Sequence, residues 1–283
     1  VTEDHASKFP HGEFKLSITQ AMADQLEAAL NRLTPAALTT EYLKELEVRG
    51  GVYELYLRGE RVYVGKASDD LPGRLSQHRR KVSGRAGIEL ADMGFKCLYV
   101  DEDLEAAAPE RLLIKEYKKT GSAPWNTNGF GSKDPGVERD TTMVKAKHFD
   151  ALYPADLDLT IQSLEPGLYP IKKYLQAVKD ELPFNLRFPR EKKPYIQEDG
   201  SQPSVEVPER ALPARELIRM AIEALPEGWQ ATALPGYVIL YREDRDYKSA
   251  RVFWRKHGGE TIELLGQNQL DLQGEVEEDS NEE

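Results

Sequence analysis

Three polar residues sit where two helices of this 283-residue chain ought to be apolar. In the basic segment Leu71 to Arg85, a helical repeat of about 100° per residue sets Arg74 and His78 roughly 40° apart and puts His78 among Leu71, Leu75 and Val82. Both tend inward, while Arg79, Arg80 and Lys81 fall aside or outward, as solvated charges should. An inward guanidinium is costly unless it meets an anion, either a carboxylate or a bound phosphate. His78 alone reads as a satisfied core histidine or as a proton-transfer group. The third residue is Glu110, on the stripe of Leu113, Ile114 and Tyr117 in a second helix. An ion pair with Arg74 would satisfy it; so would Mg²⁺, which commonly takes one or two carboxylates plus phosphate oxygens. Tyr53 and Tyr63 add two phenols on β-rich runs, where strand packing is the bland explanation.

The elements that must position these side chains are legible from periodicity. An apolar stripe of Ile18, Met22, Leu26, Leu30 and Leu33 predicts a first helix ended by Pro35, and a short second helix follows over Glu41 to Val48. Val52 to Leu57 and Arg61 to Lys66 read as a hairpin around Arg58, Gly59 and Glu60, with Tyr53, Leu55 and Leu57 sharing a face with Arg61, Tyr63 and Gly65. A basic helix over about Pro72 to Val82, a strand over Phe95 to Val100 and a helix over about Pro109 to Lys119 complete the unit. The expectation is an α+β fold: a small, mainly antiparallel three-stranded sheet flanked by helices. Residues 1–50 form a helical N-terminal extension, 51–140 the core and 141–187 a mostly helical extension with an amphipathic stretch from Tyr169 to Leu182. Proline-punctuated residues 188–212 read as a linker without regular structure. Residues 213–268 read as a small α+β unit with Trp229, Tyr237 and Trp254 in its core, and 269–283 as an acidic, disordered tail.

Composition sets the outer limits. The formal charge of −11 argues, taken alone, against a polyanion ligand. Its distribution weakens that objection: residues 51–150 hold 17 Lys plus Arg against 16 Asp plus Glu, and the rest of the chain 21 against 33. Asp271 to Glu283 contributes seven acids and no base, whereas Leu71 to Arg85 carries five bases (Arg74, Arg79, Arg80, Lys81, Arg85) and no acid. That is a local electrostatic footprint. The single Cys97 excludes an internal disulfide framework and a Cys-rich zinc site, pointing to a reducing, cytoplasmic compartment. It lies in an apolar run and is expected to be a buried strand residue. No run approaches the ~20 apolar residues that span a bilayer, so no membrane association is expected.

One ordered set distinguishes the readings: Gly51-Val52-Tyr53, Tyr63-Val64-Gly65-Lys66, Arg74 with His78, Glu110, then Pro124-Trp125-Asn126. It resembles the GIY-YIG nuclease superfamily, with Val in place of Ile in both tripeptides, a mild change in a strand. The Tyr63 to Ala67 run, the Arg and His on one helix, and Asn128-Gly129-Phe130-Gly131 leading to Asp134-Pro135-Gly136 look like its type II restriction endonucleases. The resemblance covers Gly51 to Asn126, about a quarter of the chain.

The resemblance implies a homodimer that hydrolyses both strands of a short, GC-rich DNA palindrome to 5′-phosphate and 3′-hydroxyl ends. Glu110 would hold one Mg²⁺, for which Mn²⁺ can substitute, and Arg74 would bind the scissile phosphate as a bidentate cation. Tyr53 is the preferred base for the attacking water; a phenol with a reference pKa near ~10 needs cations or a hydrogen-bond acceptor to serve. His78 would accept the phenolic proton or act directly, Tyr63 and Lys66 would position water and phosphate, and Asn126 would brace the site. Double-stranded DNA would be contacted by Arg79, Arg80, Lys81 and Arg85, and by Asn128, Lys133 and Arg139 on the glycine-containing loop Asn126 to Arg139. A repair or mobile-element nuclease with the same core, and a catalytically silent DNA-binding protein, are the alternatives.

Overall fold

The computed structural model of the chain describes residues 18–100, 122–131, 136–191, 195 and 200–272. The expected helix over Pro109 to Lys119, with Glu110, lies outside them, as do Lys133 and the acidic tail beyond residue 272. Among the described residues no helix is long and apolar enough to cross a membrane.

Helix α1 (Ile18–Asn31) buries Leu30 of the expected stripe but ends before Leu33, which is exposed. Immediately after Pro35 comes a strand absent from the expectation, β1 (Ala36–Ala37), because two alanines present no alternation to read. Helix α2 (Thr40–Lys44) starts at Thr39, whose hydroxyl accepts from the Tyr42 amide. Strands β2 (Gly51–Leu57) and β3 (Glu60–Ala67) form the hairpin, helix α3 (Leu71–Ser83) carries the basic segment, and β4 (Met93–Tyr99) returns to the sheet. The order is β1-β4-β2-β3, antiparallel throughout, so the sheet has four strands rather than three. Cys97 in β4 is half-buried rather than buried, and burial pushes its thiol up to about 11.

The hairpin turn is tighter than expected. Arg58 and Gly59 alone form the loop, with φ of 54° and 82°, the double left-handed conformation of a type I′ turn. A register shift between Leu55 and Tyr56 absorbs the difference and sets Arg61 opposite Tyr56. Arg61 therefore leaves the face of Tyr53, where it was expected. It pairs at 2.7 Å with Glu54, which also accepts a 2.6 Å hydrogen bond from the Tyr56 hydroxyl.

Strand β2 is central, and every one of its seven residues is buried. On one face Tyr53 and Leu55 join Tyr63, Leu71, Leu75, Val82, Trp125, Phe130 and Phe149 in a core. On the other, Val52 and Val64 meet Leu30 of α1.

The remainder departs further from expectation. Of the stretch Phe149 to Leu186, only α4 (Phe149–Leu152) and α5 (Ile171–Glu181) are helical. Pro154, Pro166 and Gly167 interrupt the helical pattern, and strands β5 (Thr160–Ile161), β6 (Gly167–Pro170) and β7 (Asn185–Arg187) occupy much of the rest. The proline-rich segment is built into the fold: β8 (Ser204–Val207) pairs with β6, β9 (Leu212–Pro213) pairs with β5, and Tyr195 stacks on Trp229 at 5.0 Å between centroids. Its buried Val205 and Val207 alternate with exposed Ser204 and Glu206, a two-residue period too short to stand out among prolines. Helix α6 (Ala214–Ala224) and strands β10 (Gln230–Ala233), β11 (Tyr237–Tyr241), β12 (Val252–His257) and β13 (Glu260–Leu265) follow. They build a sheet of order β13-β12-β10-β11-β7, in which β7 runs parallel to β11. Trp229, Tyr237 and Trp254 are buried, as expected.

The segment 136–150 joins the two cores. Arg187 of β7 donates to the Gly136 carbonyl at 2.9 Å and pairs with Asp140 at 2.8 Å, and the Tyr237 hydroxyl donates to Asp140 at 2.7 Å. Asp150 binds Arg85 at 2.9 Å and Arg139 at 2.8 Å. Burial alone would raise the Asp150 carboxyl, but Arg85 and Arg139, helped by His148 and Lys81, outweigh it and hold the carboxyl below its usual value. A carboxyl so lowered stabilises the fold above the ordinary carboxylate pKa and loses that contribution as pH falls through the folded value. Asp150→Ala strands two cations, one of them buried, and should cost about 3 kcal/mol at neutral pH. Urea unfolding tests this; an unchanged midpoint at pH 7, or a gap from wild type that widens in acid, would count against it.

Candidate active site

The geometry of the site begins with the glycines of the two tripeptides. Gly51 lies so close to β4 that a Cβ would stand 2.4 Å from the Leu98 carbonyl oxygen. Gly65 faces Tyr53 across the hairpin register, and a Cβ there would stand 2.3 Å from the Tyr53 hydroxyl. The phenol lies across the bare backbone of Gly65, which is why that strand position takes glycine.

Helix α3 supplies the other side of the pocket. Asp70 caps it, accepting from the Gly73 amide at 2.8 Å, and Pro72 occupies the first turn. Its apolar residues Leu71, Leu75 and Val82 dock on the sheet, and His78 is buried with them. The Tyr53 hydroxyl and His78 Nε2 are 2.6 Å apart, and Arg74 Nε donates to the same hydroxyl at 3.3 Å. Burial first, then Arg74 and Lys81, hold the His78 pKa well below its usual value. The imidazole is therefore neutral at physiological pH, and in its Nδ1–H tautomer Nε2 accepts the hydrogen bond from the phenol. Tyr63, opposite Leu55 on the same sheet face, places its ring 5.3 Å from His78.

Four expected catalytic residues, Tyr53, Tyr63, Arg74 and His78, thus come together. The register instead sets Lys66 opposite Val52, on the face away from Tyr53. Asn126 clasps the edge of β3: its Oδ1 accepts from the Val64 amide at 2.9 Å and its Nδ2 donates to the Val64 carbonyl at 2.7 Å. That bidentate clasp satisfies one residue of the edge strand's outer backbone. Among the described residues no three acidic, His or Cys side chains cluster as a metal would need.

The basic residues expected on DNA are largely engaged within the protein. Arg80 donates to the Leu182 carbonyl at 3.0 Å and to that of Asp180, at the C-terminal end of α5. Lys81, expected to point aside or outward, turns inward to donate to the Phe130 carbonyl and lies 4.9 Å over the Phe130 ring; burial is the main reason its ammonium is lowered to about 8. Arg85, expected on DNA, is only 6% exposed and ion-paired with Asp150. Arg79 is half-buried, with its Nε shielded. In the loop, Arg139 is tied to Asp150, and Asn128 is buried with its carbonyl accepting from the Phe149 amide at 2.7 Å. Carbonyls, a carboxylate and aromatic faces compete for these cations, and a helical wheel shows none of those partners.

Sequence reasoning passed over three features: the Glu54–Arg61–Tyr56 network, the Asp150 cluster and Phe130, whose ring stacks on His78 at 5.0 Å. The charged Glu54 within the apolar run Val52 to Leu57 was the available signal for the first.

A four-stranded antiparallel sheet whose first two long strands begin Gly-Val-Tyr and carry Tyr-Val-Gly, with an Arg and His helix docked beside the tyrosines, defines a GIY-YIG core. Residues 58–157 match the family model of the Eco29kI GIY-YIG domain. The chain carries a nuclease domain of that family. The matched span starts at the hairpin turn, after Tyr53, and includes Tyr63, Arg74, His78, Glu110 and Asn126. No curated protein matches the chain.

Gly65→Ala drives a methyl into the Tyr53 hydroxyl and should break the Tyr53–His78 hydrogen bond. We expect a folded protein, by circular dichroism, with DNA cleavage reduced about 10²-fold or more; wild-type cleavage by a folded Gly65→Ala variant would contradict the geometry.

Proposed function

We propose that this protein is a type II restriction endonuclease that hydrolyses phosphodiester bonds on both strands of a short, GC-rich DNA palindrome, leaving 5′-phosphate and 3′-hydroxyl ends. The observation that carries the reading is the buried Tyr53 hydroxyl held between His78 Nε2 and Arg74 Nε, inside a sheet whose continuation matches the Eco29kI domain.

Hydrolysis requires a proton acceptor for the water, charge neutralisation at phosphorus and help for the departing 3′ oxygen. Tyr53 takes the water's proton as its own passes to His78 Nε2 along their 2.6 Å contact, and Arg74 stabilises negative charge on the phenolic oxygen and the phosphate. Tyr63 positions the water. Asn126 braces the edge of β3, while Lys66, on the opposite sheet face, takes no part in the relay.

Glu110 would hold Mg²⁺ or Mn²⁺. The described donors at Tyr53 are two phenols, an imidazole and a guanidinium, which leave a carboxylate as the missing component, and one carboxylate with phosphate oxygens suffices for Mg²⁺. The ion, when bound, supplies charge neutralisation at the scissile phosphate. Arg79 and Lys133 would meet the DNA. Two copies acting as a homodimer would cut both strands, and the reducing cytoplasm suits the lone thiol.

Plasmid DNA with Mg²⁺ should give discrete fragments, and none with chelator. Glu110→Ala should abolish cleavage while leaving DNA binding largely intact, and Tyr53→Phe should lower the rate by about 10²- to 10⁴-fold. A smear, nicking confined to branched DNA, or inactivity despite specific binding would overturn the restriction reading.

A further inference from the structure

The Tyr53–His78 hydrogen bond needs more than two correctly chosen side chains. His78 sits on a helix and Tyr53 on a strand, so the imidazole must be held against the phenol by something behind it. Its ring is contacted by Tyr53, Tyr63 and Phe130, at centroid distances of 5.5, 5.3 and 5.0 Å. The Phe130 contact is the parallel one, with 20° between the planes. Phe130 belongs to neither the helix nor the sheet.

The placement of Phe130 is heavily determined. It is 1% exposed and its ring meets Tyr63, Trp125 and Phe149 at 4.9, 4.7 and 4.7 Å. Its carbonyl accepts from Lys81, whose ammonium also faces its ring. Gly129 before it has φ +84°, and a Cβ there would stand 2.2 Å from His148 Nε2, so the backbone approaches as closely as glycine allows. Upstream, Asn126 fixes the same segment to Val64, one residue from Tyr63 and Gly65. A flat ring wedged from a strand-anchored turn leaves the imidazole little freedom except toward Tyr53.

We propose that Phe130 is a positioning residue: its ring, carried by the segment Asn126–Gly131, holds the His78 imidazole in line with the Tyr53 hydroxyl. This rests on the reading of Tyr53 and His78 as the proton relay. Phe130 touches no reacting atom, so its effect falls on turnover and leaves DNA affinity alone.

The test compares Phe130→Leu and Phe130→Met with Phe149→Leu in the full chain. Phe149 is equally buried and belongs to the same aromatic cluster, but it is not among the rings against His78. Both Phe130 variants keep apolar volume and lose the flat face. We expect kcat for plasmid cleavage to fall about 10²-fold in them with KM and metal-free DNA affinity unchanged, and Phe149→Leu to keep wild-type kcat. NMR of the His78 ring protons should shift in the Phe130 variants and stay put in Phe149→Leu. Wild-type kcat in the Phe130 variants, or an equal fall in Phe149→Leu, would overturn the assignment. If the wild-type protein cleaves no DNA, the nuclease relay fails separately, and unshifted His78 resonances in the Phe130 variants would still overturn the positioning role.

Discussion

Strand β2 has no solvent face, and it carries two consecutive side chains, Tyr53 and Glu54, whose polar ends need partners. A buried hydroxyl or carboxylate left alone costs more than most single interactions return. Because neighbouring strand residues point to opposite faces, the two demands are met on opposite sides of the sheet. His78 and Arg74 answer Tyr53 from helix α3; Arg61 and Tyr56 answer Glu54 from within the hairpin. Both answers depend on the register shift beside Leu55, which releases Arg61 to the Glu54 face and leaves the Tyr53 face to the tyrosines, the histidine and the bare backbone of Gly65.

The same economy of partners governs the cations. A chain of net charge −11 has few bases to spare, and several of those in the basic segment are spent on internal acceptors. Arg80 caps the end of α5, Lys81 covers Phe130, and Arg85 shares Asp150 with Arg139. These contacts tie helix α3 to the later part of the chain. Arg187 and Tyr237, from the second sheet, hold Asp140 just downstream of the glycine-containing loop. The C-terminal sheet thereby acquires a physical role in the first: it fixes where that loop ends.

The Tyr53 face was legible in the sequence because its anomalies are local. Arg74 and His78 stand on an apolar helical stripe, and the two tripeptides sit on adjacent β runs, so wheel and alternation suffice to bring them together. What stayed hidden depends on partners distant in sequence. Nothing near Arg85 announces Asp150, and nothing near Lys81 announces the Phe130 carbonyl. The two-residue turn at Arg58–Gly59 displaces Arg61 by an amount that alternation cannot reveal. The proline-rich segment looked structureless because its strands are short and pair only with residues 34 to 53 positions earlier.

The central claim is that the buried phenol of Tyr53, backed by neutral His78 and flanked by Arg74, faces the phosphate to be cut. A crystal structure of the full chain with cognate duplex DNA and Ca²⁺, which would hold the complex without turnover, tests it most directly. The account predicts the scissile phosphate against Arg74, with a water between phosphorus and the Tyr53 hydroxyl and the Tyr53–His78 hydrogen bond retained. A scissile phosphate bound elsewhere on the protein, with Tyr53 and His78 out of hydrogen-bonding reach of any water beside it, would contradict it.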